Sequence, residues 1–140
     1  DKLVTGVQTC ALPIYPVFGS SDSTAGTVLE WLIPLVFIVL LLPALPLFAH
    51  AEERMFRTGA EQWSPTKRIL KAMQFGAVHA LIGIPIGAAI ALSLGGGTFM
   101  WWYLREFRQS GSRRQATIES TRLHTAYNAI IVVAVVVALA

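Results

Sequence analysis

The sequence predicts an all-α fold, a polytopic bundle of transmembrane helices with about three spans and a shorter returning helix. Three observations predict it. Hydrophobic residues make up 54% of the 140 and charged residues only 14%, where a soluble domain carries about a quarter charged residues. Mean hydropathy is +0.58. The charges collect in two segments, 50–71 and 105–122, and the runs between them hold no ionisable group except histidine. The length suits one domain.

The net charge of +3 is small and spread over two loops. That excludes a nucleic-acid footprint and suits loops lying against anionic lipid. The one cysteine, Cys10, excludes an internal disulfide and a cysteine-based zinc site. Residues 1–14, DKLVTGVQTCALPI, resemble translated sequencing adapter and are set apart from fold reasoning, as a fusion scar is. Residues 15–26, rich in Gly, Ser and Pro, read as a linker. Residues 1–26 are therefore one segment, and 27–140 the domain.

The elements follow in order. Thr27 and Glu30 form a capping-box pattern. Trp31–Ala49 is uncharged; at 1.5 Å per residue it extends about 28 Å, the thickness of a bilayer core. Pro43 and Pro46 predict a kink just ahead of the next polar residues. Segment 50–71 is a polar connection, and Ser64-Pro65 in it is a helix-start signal. The run Ala72–Leu104 is too long for one untilted crossing. Gly95-Gly96-Gly97 is expected to break it into a helix over 71–94 and a returning helix over 98–107. Trp101, Trp102 and Tyr103 suit a membrane–water interface. Gly83 and Gly87, with the small residues Ala88, Ala89 and Ala91, offer a close-packing surface. Ser110-Gly111-Ser112 marks a turn. Leu123–Ala140 is the last span; it ends without a polar tail, so the chain reads as a fragment. If the glycine triplet returns the chain, both basic loops lie on one side. The positive-inside rule then makes that side cytoplasmic.

Four residues are candidates for chemistry. Glu53 and Arg57 are four apart on one helix face and can pair. Glu52 is rotated about 100° from Glu53 and is expected to face the core of the bundle, where a carboxylate without its own cation can act as general base. His79 is the only ionisable group in its span, and an intramembrane histidine is a functional hypothesis by default. Phe75, four residues earlier, shares its face. His124 and Asn128 are again four apart, and two donors on one face suit an oxyanion. His50 reads as interfacial, or as a support beside the glutamates. Each group alone has a structural reading: a solvated helix end, a hydrogen-bonded histidine, an interhelical polar pair.

Taken together, Glu52-Glu53-Arg54-Met55-Phe56-Arg57, Phe75-Gly76-Ala77-Val78-His79 and His124-Thr125-Ala126-Tyr127-Asn128 form the patterns EExxxR, FxxxH and HxxxN in that order. In this the chain resembles the CPBP family of intramembrane proteases, which includes the CAAX prenyl endopeptidases. The resemblance covers about residues 43–133. It implies an integral-membrane endopeptidase in which Glu52 and His79 activate a water and His124 and Asn128 stabilise the oxyanion. Glu53, Arg57 and Phe75 are then supporting residues. The resemblance leaves two mechanisms open, one without metal and one with zinc held by Glu52, His79 and His124. It implies a prokaryotic cell membrane as location, the lipid bilayer as surroundings and a membrane protein or peptide as substrate. The alternatives are a non-catalytic relative of bacteriocin-immunity or partner-binding type and, last, a transporter fragment.

Overall fold

The computed structural model describes residues 26–139. The adapter-like segment with Cys10 and nearly all of the linker lie outside the described residues. Those described are helical and hold no strand. Helix α1 is Leu29–Phe56, α2 is Pro65–Leu81, α3 is Ile86–Ser110 and α4 is Arg113–Leu139. A short 3₁₀ turn, Ala60–Gln62, lies between α1 and α2.

Helix α1 begins one residue after Val28, its N-cap, whose side chain makes no capping bond. The Glu30 carboxylate instead accepts from the backbone N–H of Gly26 at 2.7 Å. The helix continues through Pro34, Pro43 and Pro46 and includes both glutamates. Its buried stripe is Leu45, Ala49, Glu53 and Phe56, spaced at three and four residues as one helix face requires.

Helix α2 starts where Ser64-Pro65 predicts. The Ser64 hydroxyl accepts from the Lys67 N–H at 3.3 Å, and Pro65 opens the helix. It then ends much earlier than expected, at Leu81. The turn is made by Gly83, whose φ of 100° is left-handed, and by Pro85, which caps α3. The triplet Gly95–Gly97 makes no break; it lies inside α3. Glycine weakens an isolated helix by about 1 kcal/mol per residue, but tertiary packing overrides that here. A Cβ on Gly96 would stand 3.0 Å from the Phe75 ring and 3.1 Å from the Ala72 carbonyl oxygen. A Cβ on Gly76 would overlap the Ala89 carbonyl and Ser93. Gly76 and Gly96, rather than Gly83 and Gly87, thus let α2 and α3 meet closely as an antiparallel hairpin.

The predicted returning helix over 98–107 is the second half of α3. Of its aromatic residues, Tyr103 is fully buried rather than interfacial. Its hydroxyl accepts from the Gly59 N–H at 3.0 Å and donates to Glu61 at 2.9 Å. Glu61 also pairs with Arg113, and Arg68 donates to the Ala60 carbonyl at 3.0 Å. These bonds bring the two basic segments to one end of the helices. Gly111, with φ 66°, turns the chain into α4. Helices α4 and α1 are antiparallel: Thr117 meets Thr58 at 3.1 Å and Thr121 meets His50 at 3.3 Å.

Among the described residues, two helices, α1 and α4, are long and apolar enough to cross a membrane. Helix α2 has 17 residues; α3 has 25 but a polar last third.

Candidate active site

The site forms where the last two turns of α1 meet α2, α3 and α4 around a cluster of buried rings. Phe56, Phe75 and Phe99 make that cluster, with Leu123 and Tyr127 against it. Phe75 is its hub. Its ring meets Phe56 edge-on at 5.4 Å, His79 at 4.7 Å and His124 at 5.5 Å. Phe99 stacks on His124 at 4.4 Å with 23° between the planes.

Glu53 lies on the buried stripe of α1 and is fully covered. A carboxylate so placed needs its lone pairs filled. Arg57 donates to Oε1 at 2.5 Å, the Ser120 hydroxyl donates to Oε2 at 2.5 Å, and Nδ1 of His124 lies 2.9 Å from Oε1. Arg57 is buried too, and its Nε and Nη2 have no hydrogen-bond partner among the described residues. Two aromatic faces take their place. The guanidinium lies 4.4 Å from the Phe75 ring and 5.1 Å from that of Phe99, contacts that contribute about 2 kcal/mol when desolvated. The pairing of Glu53 with Arg57 is as the sequence suggests. The burial is reversed: Glu53 faces the core, while Glu52 keeps 29% of its side chain exposed. The stripe spacing Ala49–Glu53–Phe56 decides this, because Glu52 falls off that face.

Glu52 nevertheless reaches both imidazoles. Its Oε2 is 3.3 Å from Nε2 of His124 and its Oε1 is 3.7 Å from Nε2 of His79. The proton positions follow from the partners. Nδ1 of His79 lies 2.7 Å from the Phe75 carbonyl, and a carbonyl only accepts, so Nδ1 carries the hydrogen. This leaves Nε2 of His79 as the lone-pair nitrogen facing Glu52. At 3.7 Å the gap exceeds a direct hydrogen bond and is too short for a water on the line between the two atoms, so a shared water would meet both from the open side. Nδ1 of His124 likewise donates to Glu53, so Nε2 of His124 and Glu52 share whatever proton lies between them. His79 and Glu52 are partly open, whereas His124 keeps only 2% of its surface. Solvent therefore reaches the His79 side of Glu52.

Glu52, Glu53, Arg57, Phe75, His79 and His124 are thus brought together. Asn128 lies one turn beyond His124 on α4. It is half-buried and makes no hydrogen bond among the described residues. His50 lies away from the cluster, on Thr121. Ser120 and Phe99 were not singled out in the sequence. Ser120 carried a signal: Ser120, His124 and Asn128 recur every four residues on one face of α4.

The zinc alternative requires Glu52, His79 and His124 to share one ion. Among the described residues, no three His, Cys, Asp or Glu side chains are disposed to hold a metal. Both imidazoles nonetheless turn Nε2 toward Glu52 with Nδ1 engaged elsewhere, as metal-ligating histidines do, so chelation decides between the two mechanisms; no step is derived through a metal. No family model, curated protein or solved structure significantly matches this chain.

Proposed function

We propose that the chain acts in an integral-membrane endopeptidase of the kind the three motifs resemble. One observation carries the reading: a partly exposed carboxylate, Glu52, faces the Nε2 atoms of two imidazoles, each held at its other nitrogen. Supporting it, the apolar windows of α1 and α4 are only 11% and 17% buried. The core helix of a soluble protein would be covered. Leu35, Val39, Leu40 and Leu47 on α1 and Ile130, Val133 and Val137 on α4 all face outward, as lipid-facing residues do.

The chemistry is peptide hydrolysis. A water on the open side of Oε1 of Glu52 and Nε2 of His79 gives a proton to Glu52 as its oxygen attacks the scissile carbonyl carbon. His124 keeps its Nδ1–H on Glu53, and as Glu52 takes up the water's proton, the proton that Glu52 and Nε2 of His124 share is left on Nε2 to donate to the oxyanion. Asn128, whose amide is uncommitted, supplies the second donor. Glu52 then returns its proton to the amide nitrogen as the C–N bond breaks, leaving a carboxylic acid and an amine, which exchange a proton to become carboxylate and ammonium. The substrate is a membrane protein or peptide reaching the open side of Glu52 and His79.

A non-catalytic partner-binding protein is the second reading. The full hydrogen-bonding of Glu53 favours it, since that network ties α1 to α4 whatever the activity. Cleavage of a peptide library by the protein in proteoliposomes separates the two. The protease reading expects cleavage that Glu52→Gln removes without loss of folding. Equal turnover by wild type and variant, or no turnover by either, leaves the binding reading.

A further inference from the structure

Between the last turns of α1 and the first turns of α4 lies a cavity of about 390 Å³, lined by His50, Arg54, Thr58, Arg113, Arg114 and Thr117. No member of the Glu52–His124 cluster lines it. Its electrostatics are unbalanced. Arg113 is paired with Glu61, but Arg54 and Arg114 are exposed and have no acidic partner among the described residues. Two guanidiniums converging on one concave surface without a counter-charge create a strongly positive local field, which concentrates anions. The Thr58 and Thr117 hydroxyls, 3.1 Å apart, add polar groups at the wall. A planar guanidinium matches the oxygens of a phosphate two at a time.

The position adds to the chemistry. Apart from Met55, the outward large apolar residues of α1 lie upstream of His50, and those of α4 lie at Ile130 and beyond. The cavity is thus at the end where both apolar helices turn polar, the level of lipid headgroups if these helices span a bilayer. We propose that this cavity binds the phosphate of an anionic membrane lipid, with Arg54 and Arg114 as its principal ligands. The phosphate chemistry stands independently of peptide hydrolysis. The lipid as its source rests on the membrane reading given above.

The test uses the full chain in dodecyl maltoside micelles, with bound ligand counted by native mass spectrometry. The probes are dioleoyl phosphatidylglycerol, dioleoyl phosphatidylcholine and glycerol 3-phosphate. Phosphatidylglycerol is expected to bind at least about tenfold more tightly than phosphatidylcholine, whose choline masks the charge. R54Q/R114Q should weaken phosphatidylglycerol binding about thirtyfold and either single substitution about fivefold, from the attraction of each surface arginine to anionic lipid. The single variants keep the test open if the double variant does not fold. R54K/R114K, which keeps the charge but loses the two-at-a-time geometry, should bind phosphatidylglycerol more weakly than wild type and more tightly than R54Q/R114Q. Equal binding of the two lipids, or unchanged phosphatidylglycerol affinity in R54Q and R114Q, overturns the proposal. Glycerol 3-phosphate binding as tightly as phosphatidylglycerol overturns the lipid as the source. Peptide cleavage is not read, so loss of the protease reading leaves these outcomes intact.

Discussion

Glu53 holds Nδ1 of His124 at 2.9 Å, across the contact between the first and last helices. The same carboxylate takes Arg57 and Ser120, so one buried charge fixes a cation, a hydroxyl and an imidazole. Its neighbour Glu52 meets the other nitrogen of that ring. Two adjacent carboxylates therefore have separate tasks: Glu53 positions, and Glu52 faces the open side.

This division predicts that Glu53 governs stability. Removing one partner of a buried ion pair strands the other and costs about 3–5 kcal/mol. Glu53→Ala should lower the thermal midpoint of the detergent-solubilised protein sharply, because Arg57 has no second acceptor. Arg57→Met/Glu53→Leu, which removes both charges, should recover much of that loss. A Glu53→Ala protein melting with wild type would show that the network carries little energy.

Much of this arrangement was legible in the chain. The i, i+4 spacing of Glu53 and Arg57 gave their pair, and Phe75 with His79 gave a shared face. Ser64-Pro65 and Gly111 marked a helix start and a turn. The glycine triplet misled, because glycine marks both turns and close packing. Local sequence does not say which, since the answer depends on the approach of Phe75 and Ala72 from another helix. How deeply Glu52 is buried is hidden for a similar reason. It depends on the phase of the stripe through Leu45 and Ala49, which lies inside an apolar run with no polar face to set it.

The reassigned glycines give a paired prediction. Gly76→Ala forces a methyl into the Ala89 carbonyl and Ser93, and overpacking of this kind costs about 1–3 kcal/mol. Gly97 has open space around its Cβ position. Gly97→Ala should therefore stabilise α3 by about 0.5–1 kcal/mol, the ordinary gain from replacing a helical glycine. Thermal melts of the two variants should move in opposite directions. Equal shifts would remove the case for a close contact at Gly76.

The water-activation scheme runs without a metal. It therefore expects peptide cleavage to be unchanged by 1,10-phenanthroline or EDTA. Loss of cleavage that added zinc restores would mean that Glu52, His79 and His124 regroup around an ion, and the water-activation scheme above would fail.

Asn128 separates catalysis from architecture most cleanly. It makes no hydrogen bond among the described residues, so truncating it strands no partner. Asn128→Ala should thus leave the thermal midpoint within about 0.5 kcal/mol of wild type, as for substitutions away from special features. As an oxyanion donor it has a different weight, because removing one such donor lowers kcat about 10²–10³-fold. The expected result is a normal melt, a KM near wild type and a large fall in kcat. His124→Ala should fall in both, since it also breaks the bond to Glu53. Full activity in Asn128→Ala would remove the carboxamide from the mechanism and leave His124 as the only oxyanion donor.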